Sequence, residues 1–176
     1  MIVETRNLAK EYNGIKALNG VSFSVREGEI FGFLGLNGAG KTTTIRILMT
    51  LLMPTSGEVY VNGYNVVEKA MKVMESIGLV HQRNVLKNDM SAREILIFHV
   101  MLYSIKDREL EKKVERALKF ADFKSRVDEK VRNFSGGMNR RLETVKAFMH
   151  SSKIVYRDEP SLSSDSTLRS TKFNKI

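Results

Sequence analysis

The sequence contains no cysteine, only two prolines and only three histidines in 176 residues. Without cysteine the chain has no disulfide, no thiol catalysis and no cysteine-ligated metal. The histidines stand apart, at positions 81, 99 and 150, so we expect no zinc site. The longest apolar stretch, Ile95 to Tyr103, is short and interrupted by a histidine, and the N-terminus has no apolar segment of signal-peptide length. We therefore expect no membrane-spanning segment.

The composition predicts one domain with a hydrophobic core, since 42% of the 176 residues are apolar. The net charge of +9 suggests an acidic partner, such as nucleic acid, an anionic membrane surface or a nucleotide. Basic residues are nevertheless mixed with acidic ones along the chain, as in residues 109–113 (ELEKK), which is typical of solvated helix faces. The charge alone therefore identifies no partner.

Residues 35–42 (GLNGAGKT) match in full the phosphate-binding pattern of Gly, any four residues and Gly-Lys-Ser/Thr. Residues 30–34 predict a short apolar strand before this loop, and residues 41–52 predict a helix after it. Because glycines lack a Cβ atom, the loop can direct several backbone N–H groups at one phosphate chain. We expect Lys41 to bind the β and γ phosphates and the Thr42 hydroxyl to reach Mg²⁺. The stretch predicts a nucleotide site.

The remaining pattern predicts an α/β fold with a helical insertion. The predicted strands cover residues 2–7, 21–25, 58–61, 78–82 and 153–157, with a turn at 10–14 and a hairpin at Asn62-Gly63. The predicted helices cover residues 66–77, 92–104, 107–122 and 138–149, and one more from residue 166. Residues 83–135 contain no convincing strand, so we interpret them as a helical subdomain.

Two further stretches suggest chemistry. Asp158 and Glu159 follow a predicted strand, where one carboxylate would face Mg²⁺ and the other would orient or deprotonate a water molecule. Ser135-Gly136-Gly137 begins a predicted helix and offers a hydroxyl and two backbone amides to an anion. Alone, the first stretch is equally well explained as a polar turn and the second as an ordinary helix cap. Their presence beside a phosphate loop favours the chemical interpretation.

Taken in order, these motifs resemble the nucleotide-binding subunit of ATP-binding cassette (ABC) transporters over nearly the whole chain. The phosphate loop resembles Walker A, residues 134–138 (FSGGM) resemble the ABC signature, and residues 154–159 resemble Walker B. The sequence after the signature, Arg140 to Glu143, is most similar to exporters of the drug-resistance type. The resemblance implies one ABC ATPase domain with an α/β P-loop NTPase core, in which a mostly parallel sheet has flanking helices and an N-terminal antiparallel β region.

The resemblance also implies the domain boundaries and the residue roles. It predicts a core of residues 1–82 and 136–176, interrupted by the helical subdomain at 83–135. Tyr12 resembles the aromatic residue that stacks on adenine, and Glu159 resembles the catalytic base. The implied ATP-binding residues are Tyr12, Gly35, Asn37, Gly38, Ala39, Gly40, Lys41, Thr42, Thr43, Ser135, Gly136, Gly137 and Asp165. The implied catalytic residues are Glu159, Lys41 and Gln82, and the implied Mg²⁺ ligands are Thr42, Gln82 and Asp158.

The implied partners are a second nucleotide-binding subunit, identical or not, and an integral membrane permease. In the family the signature reaches across the dimer to the γ phosphate, and the permease contact lies near residues 82–98. The chain would then lie in the cytoplasm, at the inner face of the cell membrane. We expect no nucleic-acid partner.

Several positions depart from the family pattern. Phe134 and Met138 replace the usual Leu and Gln of the signature, and Ser163-Ser164 replace the Gly-Leu before Asp165. Arg157 stands where the family has an apolar residue, in a strand expected to be covered on both faces.

The chain also ends at residue 176, before the strand that would supply the switch histidine, and His150 precedes Walker B. We therefore expect a domain that is incomplete at its C-terminus, binds Mg-ATP and hydrolyses it slowly or not at all by itself.

Two alternatives remain open beside an ATP-hydrolysing transporter subunit. One is a truncated, non-hydrolysing nucleotide-binding module. The other is a soluble ABC protein that acts on nucleic acid or ribosomes, which the +9 charge favours but the single cassette disfavours. A P-loop kinase is disfavoured because no acceptor site or lid pattern accompanies the loop.

Overall fold

The structure is a computed structural model that describes residues 1–80, 89–102, 107–123, 125–150 and 152–157. The chain forms two compact units, Met1–Ile77 and Gly78–Ile176. The predicted grouping of residues 1–82 with 136–176 stays a prediction. Within the described ranges, no helix is long and apolar enough to cross a membrane.

An antiparallel sheet forms the first unit. Strand β1 (Val3–Tyr12) pairs with β2 (Ile15–Val25) on one side and with β3 (Ser56–Val61) on the other, and β4 (Tyr64–Asn65) pairs with β3. The turns Asn13-Gly14 and Asn62-Gly63 each have two positive φ angles, which suits the right-handed twist of a two-residue hairpin. The predicted second hairpin is thus confirmed.

The first hairpin is longer than the sequence predicted. Residues 10–12, which we expected in a turn, continue β1, and β2 begins six residues before residue 21. The polar residues here lie on exposed positions of the strands, while Leu8 and Leu18 are buried. Polar composition therefore marked an exposed sheet face rather than a loop.

Two helices lie in the first unit. Helix α1 (Lys41–Leu48) buries Ile47 and Leu48. Helical spacing over residues 66–77 predicts one apolar face that contains Val67, Met71, Met74 and Ile77. Helix α2 (Ala70–Ser76) instead buries Val73 and exposes Met71 and Met74, so this prediction of the buried face is wrong. The helix begins at residue 70 instead of residue 66 and is only seven residues long. In so short a helix, burial of Val73 determines which side faces the core, and the apolar spacing over residues 66–77 does not.

The predicted strand at residues 30–34 is absent, because the structure gives these residues no regular secondary structure. The four strands of the first unit pair in the order β2-β1-β3-β4, and none of them pairs with residues 30–34. Phe31 and Phe33 contact Phe23 of β2, with ring centroids 5.2 and 5.3 Å from it. The alternate side chains Ile30 and Leu34 are 100% and 96% exposed. An apolar run becomes a strand only where another strand supplies hydrogen bonds.

The second unit combines a short sheet with a helical core. Strands β5 (Ile77–Val80) and β6 (Ile154–Arg157) form a two-stranded parallel sheet. Helices α3 (Ala92–Leu102), α4 (Asp107–Phe120) and α5 (Gly136–Phe148) pack around a shared cluster of buried apolar side chains. Between residues 89 and 135 the described part contains no strand longer than the single bridge of Ser91 with Lys130, as the sequence predicted.

A capping box fixes the start of α3. The Ser91 backbone N–H donates to the Glu94 carboxylate at 2.7 Å, and the Glu94 N–H donates to the Ser91 hydroxyl at 3.2 Å. The hydrogen bond from the Ser91 N–H lowers the pKa of Glu94. The sequence Ser-x-x-Glu at 91–94 is the local signal for this helix start.

Four titratable side chains, two histidines and one Lys–Glu pair, lie together among helices α3 and α5. His99 of α3 and His150, which follows α5, approach each other at 3.3 Å between Nε2 and Nδ1. Lys146 of α5 pairs with the buried Glu143 at 2.8 Å. Burial, together with the charges of His150 and Lys146, lowers the pKa of His99 to about 4. The fold therefore holds His99 in its neutral form at neutral pH.

The low pKa of His99 predicts a pH-dependent stability. The unfolded chain takes up this proton near pH 6.5, whereas the folded chain takes it up only near pH 4. The contribution of neutral His99 is therefore complete above pH 6.5 and is lost as the pH falls from 6.5 to 4. Allowing for partial exposure, we expect this loss to be about 2 kcal/mol.

Urea unfolding at pH 7 and at pH 4.5 measures this loss, with His99→Gln as the comparison. The variant should lose less free energy of unfolding between the two pH values than the parent, because Gln does not titrate. Equal losses in parent and variant would contradict the prediction.

Candidate nucleotide site

The phosphate loop lies between β2 and α1 in the first unit. The Lys41 ammonium donates to the carbonyl oxygens of Gly35 and Leu36, both at 2.7 Å, so it lies over the loop that precedes it. The first helical hydrogen bond runs from the Thr44 N–H to the Gly40 carbonyl at 2.9 Å. The amides of residues 41–43 precede that bond and are therefore the first-turn donors that a helix offers to an anion. Within the loop, the Ala39 N–H donates to the Leu36 carbonyl at 3.2 Å. The helix start and the Lys41 ammonium are the described donors that suit a phosphate.

Gly40 has to be glycine for two reasons. Its φ of +82° is one that residues with a Cβ rarely adopt. A Cβ atom at this position would lie 2.7 Å from the Ala17 carbonyl oxygen and 2.4 Å from a methyl group of Leu18. The loop therefore rests directly on β2, and no larger residue fits between them. Pattern matching predicted the glycine but not its contact with β2.

Tyr12 lies in the same unit, at the end of β1. Its ring is 42% exposed, and the Lys10 ammonium lies 5.1 Å from the ring centroid. The partner strand of the hairpin is β2, whose Ala17 and Leu18 contact the phosphate loop. Tyr12 therefore belongs to the same hairpin as the two residues on which the loop rests, and its side chain is partly exposed.

The residues expected to bind Mg²⁺ are only partly described. Thr42 is exposed in the first turn of α1, while Thr43 is half-buried beside it. Gln82, Asp158, Glu159 and Asp165 lie outside the described residues. Within the described ranges, no group of three or more His, Asp or Glu side chains forms a metal site. A threonine hydroxyl at the start of α1 fits one position of a Mg²⁺ shell.

The ABC-signature residues form the exposed start of α5 in the second unit. Ser135 is the N-cap, and its hydroxyl accepts from the Met138 N–H at 3.3 Å. Gly136 and Gly137 are exposed, and a Cβ atom on either would meet no atom within 4 Å. Phe134 and Met138, which flank them, are buried. The two flanking residues of the signature are therefore held by burial, while Ser135, Gly136 and Gly137 between them form an exposed polar edge.

An aromatic pair and two arginines support this segment, and the sequence analysis missed them. Phe134 stacks on the buried Phe123 with centroids 5.2 Å apart. Arg126 lies over the Phe134 ring at 5.7 Å, and Arg141 lies over Phe123 at 5.8 Å. In the sequence, the three-residue spacing of Arg126 and Glu129 predicts an ion pair between them. It does not predict that Arg126 contacts the residues that flank the signature.

The end of β6 corrects one expectation. Arg157 is exposed rather than covered on both faces, so the buried-charge cost that we expected does not arise. Burial and the nearby charge of Arg140 lower the pKa of Arg157. The preceding Tyr156 is half-buried, and burial raises its pKa.

Comparisons with known proteins identify this arrangement. Residues 18–162 match the profile of a family described as ABC transporter. The linearmycin resistance ATP-binding protein LnrL of Bacillus subtilis (strain 168) is 35% identical over 164 residues, which cover 93% of this chain and 53% of that protein. The Nod factor export ATP-binding protein I of Burkholderia orbicola (strain AU 1054) is 33% identical over 174 residues, which cover 99% and 57%. The chain thus spans about half the length of these curated relatives.

A solved structure agrees with the sequence comparisons. The dimeric ATP-binding cassette MJ0796, in a post-hydrolysis state bound to ADP and Pi, superposes with a TM-score of 0.75 at 27% identity. The match covers 94% of this chain and 77% of that one. The predicted α/β P-loop NTPase fold is confirmed. With the family profile matching most of the sequence, the chain belongs to the ABC transporter family, as an ATP-binding domain.

Proposed function

We propose that this chain binds Mg-ATP and acts as the ATP-binding and ATP-hydrolysing subunit of an ABC exporter. Two nucleotide-binding subunits would close around ATP, and hydrolysis would reopen them. This cycle would drive a separate membrane permease. The names of the two relatives, which refer to linearmycin resistance and to Nod factor export, favour export over import for this chain.

The observation that supports nucleotide binding most directly is the phosphate loop, which packs directly against β2. Lys41 already lies over the loop, bonded to the carbonyls of Gly35 and Leu36, and these contacts can be exchanged for phosphate oxygens. The remaining proposed ligands of the phosphates are the amides of Asn37, Gly38, Ala39, Gly40, Thr42 and Thr43. Tyr12 would stack on adenine with its accessible ring surface.

The signature glycines support the dimer. Gly136 and Gly137 lie in the first turn of a helix and have no positive φ, and among the described residues no atom lies within 4 Å of a Cβ placed at either, so packing within the described part does not require them. Glycine costs helix stability of roughly 0.5 to 1 kcal/mol relative to alanine. Such a cost is explained if another surface approaches the backbone closely. We propose that Ser135, Gly136 and Gly137 contact the ATP of the second subunit, with Asp165 at the same interface.

The proposed chemistry uses two residues of the phosphate loop, Gln82, and the two carboxylates that follow β6 in sequence. Mg²⁺ would supply charge neutralisation at the phosphates, with Thr42, Gln82 and Asp158 as its ligands. Glu159 would accept a proton from the attacking water, and Lys41 would stabilise the charge that develops on the transferred phosphoryl group. Exposure of Arg157 removes one argument against hydrolysis.

The proposed permease partner would bind near residues 82–98 and hold the chain at the cytoplasmic face of the cell membrane. Within this range, Phe98 of α3 is 45% exposed, which offers apolar surface to a membrane protein. No contact with nucleic acid is part of the proposal.

Binding and hydrolysis are separable by substitution. We expect Lys41→Ala to weaken ATP binding by about tenfold or more, because the charge-assisted bonds to phosphate are lost. Lys16→Ala, at an exposed lysine of β2, is the matched control and should bind as the parent does. Equilibrium titration with a fluorescent ATP analogue measures both.

Hydrolysis is tested by Glu159→Gln, which we expect to bind ATP while turnover falls by about a hundredfold or more. Phosphate release under single-turnover conditions is the measurement. If the parent and the variant both bind ATP and neither hydrolyses it, the hydrolytic part of the proposal fails and the chain is a nucleotide-binding module.

Replacing a glycine by alanine should have opposite effects on the free energy of unfolding in the phosphate loop and in the signature. Gly40→Ala should lower the free energy of unfolding by roughly 2 to 4 kcal/mol, because it places a Cβ against Ala17 at a left-handed φ. Gly137→Ala should raise it by roughly 0.5 to 1 kcal/mol, since alanine favours the helix and has free space.

ATP-dependent dimerisation should nevertheless be lost in Gly137→Ala. Urea unfolding and sedimentation velocity with ATP measure the two properties. A stabilised variant that still dimerises would refute the assignment of Gly137 to the interface.

A further inference from the structure

The signature segment is held from one side by a single arginine. Arg126 donates to the Glu129 carboxylate through Nε and Nη2, the second bond being 2.7 Å long. Its Nη1 donates to the Met138 sulfur at 3.1 Å, and its guanidinium carbon lies 5.7 Å from the Phe134 ring centroid. We call these four residues the Arg126 cluster. They link the loop before the signature to both residues that flank Ser135, Gly136 and Gly137.

The guanidinium uses separate groups for each partner. The Nε and Nη2 edge binds a carboxylate in the two-point geometry that suits a planar fork. The Nη1 group remains for the sulfur, and the flat face remains for the aromatic ring. A side chain with one ammonium group cannot make all three contacts at once. The cluster therefore depends on arginine and not on positive charge alone.

Glu129 connects the cluster to the turn before the signature. Hydrogen bonding to Arg126 is the largest cause that lowers the pKa of Glu129, and a hydrogen bond with Asn133 adds to it. Asn133 ends the short 3-10 helix Val131–Asn133, and Phe134 donates its N–H to Val131 at 2.9 Å. The contacts thus run continuously from Arg126 to the residue that precedes Ser135.

The two residues that flank Ser135, Gly136 and Gly137 present a ring and a sulfur, and the arginine contacts both of them. The open edge of the signature is consequently oriented by contacts that depend on these particular side chains.

We propose that Arg126 is the positioning residue of the signature: it fixes the direction in which Ser135, Gly136 and Gly137 face the second subunit. This inference rests on the proposed function for its role in the dimer. The orientation itself is a property of the single chain, so the two are tested separately.

Amide hydrogen exchange on the full chain tests the orientation. Arg126→Ala should increase exchange at Met138 and Asn139 by about tenfold or more, because their N–H bonds to Ser135 open more often. Exchange at residues 142–147 of α5 should change much less.

Arg93→Ala is the matched control. Arg93 binds the carboxylates of Glu115 and Asp128, and within the described residues none of its ion pairs involves the signature. It should lower stability without the local increase. Equal exchange at Met138 and Asn139 in both variants would overturn the proposal.

ATP-dependent dimerisation in the Glu159→Gln background tests the consequence. Arg126→Ala should retain the ATP affinity of the single chain and weaken the dimer by about tenfold or more. Arg126→Lys should restore only part of this loss. Full restoration by lysine, or an Arg126→Ala chain that dimerises as Arg93→Ala does, would overturn the positioning role.

The background chain separates this inference from the proposed function. If Glu159→Gln binds ATP and does not dimerise, the proposed dimer fails. The orientation by Arg126 is then supported or overturned by the exchange measurement alone.

Discussion

The contact between Gly40 and β2 is the constraint on which the nucleotide site depends. An ordered phosphate loop needs a fixed base, and here the base is the Ala17 carbonyl and the Leu18 side chain. The long β1-β2 hairpin positions that strand, and burial of Ile47 and Leu48 holds α1 on the same unit. Disturbing this contact would displace the amides and the Lys41 ammonium together. The first unit therefore holds the phosphate loop and the helix start that follows it on one support.

Glycines serve two different purposes in this chain. Gly40 is required by the chain's own backbone angle and packing, so its role is visible in the fold. Gly136 and Gly137 have no positive φ, and among the described residues no atom lies within 4 Å of a Cβ placed at either. Under the proposed function, Gly40 serves a site of this chain, whereas Gly136 and Gly137 contact a partner.

Phe134 and Met138, the two unusual residues of the signature, are held in place by contacts with neighbouring side chains. Phe134 stacks on Phe123, and the Arg126 cluster holds both flanks through a ring and a sulfur. Arg157, which the sequence suggested would be a buried charge, is exposed. Departures from a family pattern are therefore poor indicators of lost function until the contacts of the new side chains are known.

Sequence alone determined the features that depend on neighbours along the chain. The phosphate loop, the Asn62-Gly63 hairpin and the Ser135 cap all follow from short-range chemistry. Only the tertiary structure decided which side of α2 is buried, whether residues 30–34 form a strand, and which groups Arg126 contacts. These three features depend on the packing of segments that are distant in sequence. A strand needs another strand as its hydrogen-bonding partner, and a helix face is buried only where another element packs against it. Local patterns do not contain that information.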